Sequence, residues 1–204
     1  KYPMCILLLC PYPHYIPSLF IVKHTSVGLS TMWYNTVKML PLKTVSADDF
    51  QTPPSALIPL YPYLKKEWTI WEPACGKGNL TKGLRDKNYK VIESDITLHE
   101  DFLTWKPKYE AWDCIITNPP FSLKQQFLER CYELGKPFAL LLPLTTFETP
   151  KRQALFREHG VEVIFLPKRI NFETPNQVEK SSAWFATAWF THGLNIGQQL
   201  TFTE

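Results

Sequence analysis

The chain has 204 residues, of which 45% are apolar and 20% charged, with a formal net charge of +3. That length suits one α/β domain with a full core and leaves little room for a second. So small a positive charge excludes an argument for nucleic-acid binding from charge alone, because net charge governs steering and solubility more than partner identity.

The first acidic residue is Asp48. Cys5-Ile-Leu-Leu-Leu-Cys10 has the look of a signal-peptide core, but Pro11, Pro13 and Pro17 interrupt it, and the run is too short and broken to span a membrane. A transit peptide is rich in arginine, and the first arginine here is Arg85. Residues 1–47 are therefore expected to be a non-catalytic extension, with residues 1–31 lying upstream of a start at Met32.

Regular structure is predicted from Asp48 onward. Asp48-Asp-Phe-Gln-Thr-Pro-Pro54 is loop chemistry leading into a helix, since proline suits a first helical turn. Leu57, Leu60, Tyr61 and Leu64 have helical spacing, with Lys65 and Lys66 near the end that favours cations. Trp68–Glu72 reads as a short buried strand, followed by Gly76, Gly78 and a helix from Leu80 to about Lys87 capped by Asn79. Lys90–Ile96 is a second strand, Asp101–Trp105 a strand end or turn, and Trp112–Thr117 a third buried strand. An amphipathic helix from Ser122 to Leu134 then places Phe127, Leu128, Cys131 and Leu134 on one side. The apolar run Phe138–Pro143 is expected at the centre of a parallel sheet. Helix Lys151–His159, strand Val161–Leu166, a loop Lys168–Lys180 and a last strand Ala183–Phe190 complete the pattern. Alternating strands and helices predict an α/β, Rossmann-like, doubly wound and mostly parallel seven-stranded sheet, with an antiparallel strand near the C-terminus.

Three constellations carry chemistry. Glu72-x-x-x-Gly76-x-Gly78 between a strand and a helix is a nucleotide-cradling loop, because glycine lets the backbone approach a ligand and a helix start offers free N–H groups. It lacks the third glycine of a dinucleotide fingerprint and the Gly-Lys-Ser/Thr of a P-loop. An acid about twenty residues later can accept hydrogen bonds from a ribose diol. Asp95 and Glu93 both qualify, and strand alternation puts them on one face without choosing between them. Last, Asn118-Pro119-Pro120-Phe121 follows a strand. Prolines stiffen the turn, and the Asn118 side-chain oxygen and Pro119 carbonyl can both accept from one amino group. Held this way, the nitrogen is drawn towards sp3 and its lone pair is aimed at a methyl donor, while Phe121 can stack on a base.

Taken together, residues 48 to about 192 resemble the class I S-adenosylmethionine-dependent methyltransferases, specifically the amino-group DNA methyltransferases that make N6-methyladenine. Gln51-Thr52-Pro53-Pro54 resembles an N-terminal cofactor motif, and its place before the glycine loop resembles the gamma order. The resemblance implies cofactor contacts from Gln51, Thr52, Pro53, Glu72, Ala74, Gly76, Gly78, Asp95, Ile96, Asp101, Phe102 and Asn118. It implies a catalytic turn of Asn118, Pro119, Pro120 and Phe121, with Phe121, Lys168, Arg169 and Phe172 at the substrate. Lys168, Arg169 and Lys180 would meet phosphates and Phe172 a flipped base. The implied cofactor is S-adenosylmethionine, yielding S-adenosylhomocysteine, with no metal. DNA is the expected partner, in the cytoplasm, with the nucleoid or in a phage-infected cell. The tail is short, as in phage-type adenine methylases, so a specificity subunit is a further expected partner.

Three other readings compete. Adenine in RNA or a protein glutamine amide fits the same chemistry, although glutamine methyltransferases of this type usually carry Tyr where Phe121 stands. A non-catalytic cofactor-binding subunit and a nicotinamide oxidoreductase are the others. The five cysteines form no CxxC pair and no cluster with metal-ligand spacing, and read as buried thiols in a reducing compartment. Trp68, Trp71, Trp105, Trp112, Trp184 and Trp189 read as core or pocket wall, and His99, His159 and His192 as non-catalytic.

Overall fold

The computed structural model describes residues 50–172 and 185–203. The expected extension 1–47, with Cys5, Cys10 and Met32, lies outside the described residues, as do Lys180 and Trp184.

Among the described residues, seven strands form one sheet: β1 (Thr69–Glu72), β2 (Lys90–Glu93), β3 (Cys114–Thr117), β4 (Phe138–Pro143), β5 (Glu162–Phe165), β6 (Thr187–His192) and β7 (Leu200–Phe202). Their order is β2-β1-β3-β4-β6-β5-β7. β2, β1, β3 and β4 run parallel; β6 is antiparallel to both β4 and β5, and β7 is parallel to β5. This is the doubly wound, mostly parallel α/β sheet expected, with the antiparallel strand near the C-terminus. Strand order reverses between β1 and β3, which opens a crevice beyond their carboxyl ends.

Both faces of the sheet are covered, so consecutive strand residues are buried in opposite layers. Ile70, Ile116, Leu141, Ile164 and Trp189 pack on one side with Leu57, Leu60, Leu80 and Leu84. Trp71, Ile115, Leu140, Leu142, Val163 and Phe190 pack on the other with Phe127, Leu128, Cys131 and Phe156. The helices that cover these faces are α1 (Asn79–Arg85), α2 (Lys124–Leu134) and α3 (Pro150–His159). Each of the six residues of β4 is buried, which accounts for its unbroken apolar sequence.

Several local expectations change. The helix expected after Pro54 is a 3-10 helix, Pro54–Tyr63, with Pro59 and Pro62 inside it. Two prolines remove donors that an α-helical ladder requires, and the segment takes the tighter turn instead. Leu57 and Leu60 are still fully buried. Lys65 and Lys66 lie past its end: Lys65 sits over the Trp68 ring, and Lys66 donates to the Lys87 carbonyl. Asn79 does not cap α1; the cap position is Gly78, in the left-handed region at φ 76°, with no side-chain cap bond. β2 ends at Glu93, so Asp95 lies beyond it, and Asp101–Trp105 is a turn. The last strand begins at Thr187 rather than Ala183, and β7 was not anticipated because Leu200-Thr-Phe202 is only three residues long.

Trp71, Trp112 and Trp189 are fully buried, in line with a core role. His159 stacks on Tyr132, and His192 on Phe138. Among the described residues, no helix is long and apolar enough to cross a membrane, and no group of three or more His, Cys, Asp or Glu is placed to hold a metal ion.

The 3-10 helix and α1 meet at Gly83, where an added Cβ would lie 2.8 Å from Pro54 Cβ and 2.9 Å from Leu57 Cδ1. Pro54 cannot rotate away. Gly83→Ala is therefore expected to destabilise the fold by about 1–3 kcal/mol through overpacking, despite alanine's better helix propensity. Urea denaturation of the two proteins checks this.

Candidate active site

A cavity of about 370 Å³ opens at the carboxyl ends of β1, β2 and β3, within the range of small-ligand sites. Its wall comes from three places. Phe50, Gln51 and Thr52 precede the 3-10 helix; Glu72 ends β1, and Ala74, Cys75, Gly76, Asn79 and Leu80 follow it; Asp95, Thr97, Asn118 and Pro120 follow β2 and β3.

The glycine loop is shaped by backbone conformation and by contact. Gly76 has φ 50°, and a Cβ there would lie 2.9 Å from both polar atoms of the Gln51 side chain. The Lys77 amide donates to Gln51 Oε1 at 2.9 Å. On the other side, the Gly76 amide donates to Asp95 Oδ2 at 3.0 Å. Asp95 Oδ1 accepts from the amide and hydroxyl of Thr97, at 2.9 and 2.7 Å. Burial raises the Asp95 carboxyl, but the Thr97 amide, the Gly76 amide and the Thr97 hydroxyl outweigh it and hold the group below its ordinary value. Asp95 is thus an ionised acceptor facing the cavity. Glu93, its rival in the sequence, is exposed and pairs with Arg85 at 3.3 Å.

Glu72 has the opposite character. Only 2% exposed, it accepts from the Thr81 hydroxyl. Burial pushes its carboxyl up to about 8, against the hydroxyl and amide of Thr81, which lower it. Cys75 is raised to about 11 by burial and then by Glu72, Asp95 and Glu93, so its thiol stays protonated.

Asn118 stands at the end of β3 with its two amide atoms in different states. Nδ2 donates to the Phe50 carbonyl at 3.1 Å. Oδ1 is buried and has no hydrogen-bond partner. The donor side can only be nitrogen, because a carbonyl accepts, so the amide orientation is fixed by its partner. Thr52 Oγ1, also on the cavity wall, is a second buried oxygen without a partner.

The structure brings together Gln51, Thr52, Glu72, Ala74, Gly76, Asp95, Asn118 and Pro120 from the sequence-predicted set. It places the others off the cavity wall. Pro53 accepts from the Ala56 amide, and Pro119 is buried. Gly78, at φ 76°, caps α1. Ile96 is 67% exposed beside the cavity residues Asp95 and Thr97. Asp101 Oδ1 accepts from the Leu103 amide, and the Phe102 ring lies in the core, stacked on Phe127 at 4.6 Å. Lys168 and Arg169 are exposed on the loop after β5.

Phe121 and Phe172 belong to a cluster with Phe50 and Phe185. Phe50 lies 5.6 Å from Phe121, 5.4 Å from Phe172 and 5.7 Å from Phe185, and Phe121 lies 5.4 Å from Phe185. Phe172 is buried within it, not presented to solvent. Sequence reasoning missed Phe50 and Thr97. Phe50 gave a signal only by adjoining the Gln-Thr-Pro-Pro segment, and Thr97 by standing two residues after an aspartate, where an Asx turn closes.

No protein-family model matches the chain, and no curated protein matches it. Among solved structures, it is similar to a modification subunit assigned to a type I restriction enzyme from Vibrio vulnificus, at 15% identity and a TM-score of 0.48, over 72% of this chain and 45% of that one. It is also similar to a protein assigned as a class I S-adenosylmethionine-dependent methyltransferase from Listeria monocytogenes, at 17% identity and 0.49, over 75% and 65%. A tRNA (m1A58) methyltransferase from Aquifex aeolicus follows, at 17% identity and 0.37, over 68% and 67%. The chain spans less than half the length of the first. Function therefore rests on the geometry of the cavity in a Rossmann-like sheet.

Glu72 makes a prediction about stability. The folded state holds a proton up to about pH 8 that an ordinary carboxyl, at 4.5, has already released. Its contribution is full below 4.5 and is lost as pH rises through about 8. Melting temperature is expected to fall across that window, and Glu72→Gln to flatten the fall. Thermal unfolding at a series of pH values checks it.

Proposed function

We propose that the chain is an S-adenosylmethionine-dependent methyltransferase acting on the exocyclic N6 amino group of adenine in DNA. The observation that carries this reading is the Asn118 amide: its nitrogen is tied to the Phe50 carbonyl at 3.1 Å and its oxygen is buried without a donor. A buried acceptor without a partner costs about 1–3 kcal/mol, and a substrate amino group would supply the missing N–H.

The remaining residues fit the cofactor. Asp95, ionised on the cavity wall, suits the two hydroxyls of a ribose. Gly76 permits close approach of a ligand to the loop, and exposed Ile96 offers an apolar surface for an adenine ring. Gln51, Thr52 and the neutral Glu72 complete the wall. When bound, S-adenosylmethionine supplies an electrophilic methyl group on a sulfonium.

The chain's own work is then positioning. Asn118 Oδ1 accepts one amine hydrogen and turns the nitrogen lone pair out of conjugation with the ring. No general base is needed before attack, since the proton can leave after the nitrogen has been alkylated. Half-buried Phe50, Phe121 and Phe185 supply flat apolar surface for a base turned out of its stack, with Phe121 three residues after Asn118. Lys168 and Arg169, exposed beyond β5, suit phosphates. The choice of DNA is supported by the Thr52-Pro53-Pro54 segment lying before the glycine loop.

The test is incubation with methyl-labelled S-adenosylmethionine and separate DNA, RNA and protein pools, followed by nucleoside analysis. Label is expected in DNA as N6-methyldeoxyadenosine. Label in RNA or in glutamine would move the substrate and keep the chemistry. Binding of S-adenosylhomocysteine with no transfer to any pool would make the chain a cofactor-binding subunit, and thermal stabilisation by NAD alone would overturn the reading. Asn118→Ala is expected to lower transfer by about 100-fold or more while S-adenosylhomocysteine still raises the melting temperature.

A further inference from the structure

Residues 50–52 touch both halves of the cavity. The Phe50 carbonyl holds Asn118 Nδ2 at 3.1 Å. One residue on, the Gln51 side chain holds the Lys77 amide of the glycine loop at 2.9 Å. Gly76 is packed so closely under that side chain that a Cβ would lie 2.9 Å from its polar atoms. Asn118 and Lys77 belong to different crossovers, after β3 and after β1, and among the described hydrogen bonds none joins one to the other directly. The connection between them runs through two consecutive residues of this segment.

We propose that Gln51 is a positioning residue that sets the rotation of the Asn118 amide from the glycine loop, so that one short strap holds the cofactor half and the amine-holding half of the cavity in register. The inference rests on the methyltransferase reading for its kinetic consequence, though not for its geometry. The physical argument is leverage. The Phe50 carbonyl is one peptide unit from the Gln51 Cα, so the plane of that peptide fixes where Asn118 Nδ2 finds its acceptor. Anchoring Gln51 to the Lys77 amide restricts that plane. With the anchor removed, the Asn118 amide gains rotational freedom, and its Oδ1 no longer stands in one place. Misplacement of an orienting group by about 1 Å costs up to roughly 100-fold in rate, without a matching loss of cofactor affinity. A simple cofactor contact would behave otherwise, weakening binding and leaving the rate at saturation intact.

The experiment compares full-length Gln51→Ala and Gln51→Glu with the wild type. Glutamate keeps an oxygen acceptor at the same reach. Two readouts are taken: kcat at saturating S-adenosylmethionine alongside the Kd of the cofactor by calorimetry, and the side-chain amide signal of Asn118 in asparagine-15N-labelled protein, identified by its loss in Asn118→Ala. In Gln51→Ala, kcat at saturating cofactor is expected to fall by roughly 10- to 100-fold, beyond any loss of cofactor affinity that Gln51 gives as a cavity-wall residue, and the Asn118 signal to move or broaden. In Gln51→Glu, both are restored towards the wild type. Weakened Kd with unchanged kcat, or an unmoved Asn118 signal in Gln51→Ala, overturns the proposal. Should Gln51→Ala fail to fold, Gln51→Asn, whose side chain is one methylene too short for the Lys77 amide, takes its place with the same outcomes. If the wild type transfers no methyl group, the amide signal still decides the strap, and only the functional reading falls.

Discussion

The sheet is covered on both faces, and that constraint orders everything else. Between the two apolar layers a polar side chain must find its own partner, and the central strand β4 carries none. Polar chemistry is pushed to the strand ends, where backbone pairing stops and loops begin. Glu72 ends β1, Asp95 follows β2 and Asn118 follows β3, and the reversal of strand order between β1 and β3 gathers all three around one cavity. The site is a consequence of how the sheet is wound, not an addition to it.

Within that cavity two carboxyls are tuned in opposite directions by their neighbours. Asp95 receives three hydrogen bonds and is held ionised; Glu72, deeper and supported through Thr81 alone, favours its proton up to about 8. One cavity wall therefore carries an ionised carboxylate and a carboxyl that keeps its proton. The divided state of the Asn118 amide follows the same logic. One atom is satisfied by the protein, and the other is left for something else.

Departures from the sequence-based expectations have identifiable physical causes, some local and some not. Pro59 and Pro62 turned an α-helical spacing into a 3-10 helix, while Leu57, Leu60 and Leu64 stayed buried and Tyr61 only half so. Asn79 was read as a cap because of its residue type, yet Gly78 occupies that position in a conformation a glycine adopts freely. Phe102, off the cavity wall, packs in the core between Trp71 and Phe127. Phe172, expected to face a base, is packed against Phe50, Phe121 and Phe185, which lie 122, 51 and 13 residues from it along the chain. Contacts over such separations leave no trace in local spacing.

The sequence by itself determined the alternation of strands and helices, the glycine loop and the Asn-Pro-Pro-Phe turn, because each depends on periodicity or backbone stereochemistry acting over a few residues. It placed two acids on β2 or just beyond it and could not choose between them. The tertiary structure puts only Asp95 on the cavity wall, where it meets the Gly76 amide, nineteen residues before it, while Glu93 turns out to Arg85. The tertiary structure alone also joined Phe50 to Asn118 across 68 residues and buried the Asn118 oxygen without a donor. Hydrogen-bond satisfaction is a property of the packed chain, and no reading of residue types in order could have supplied it.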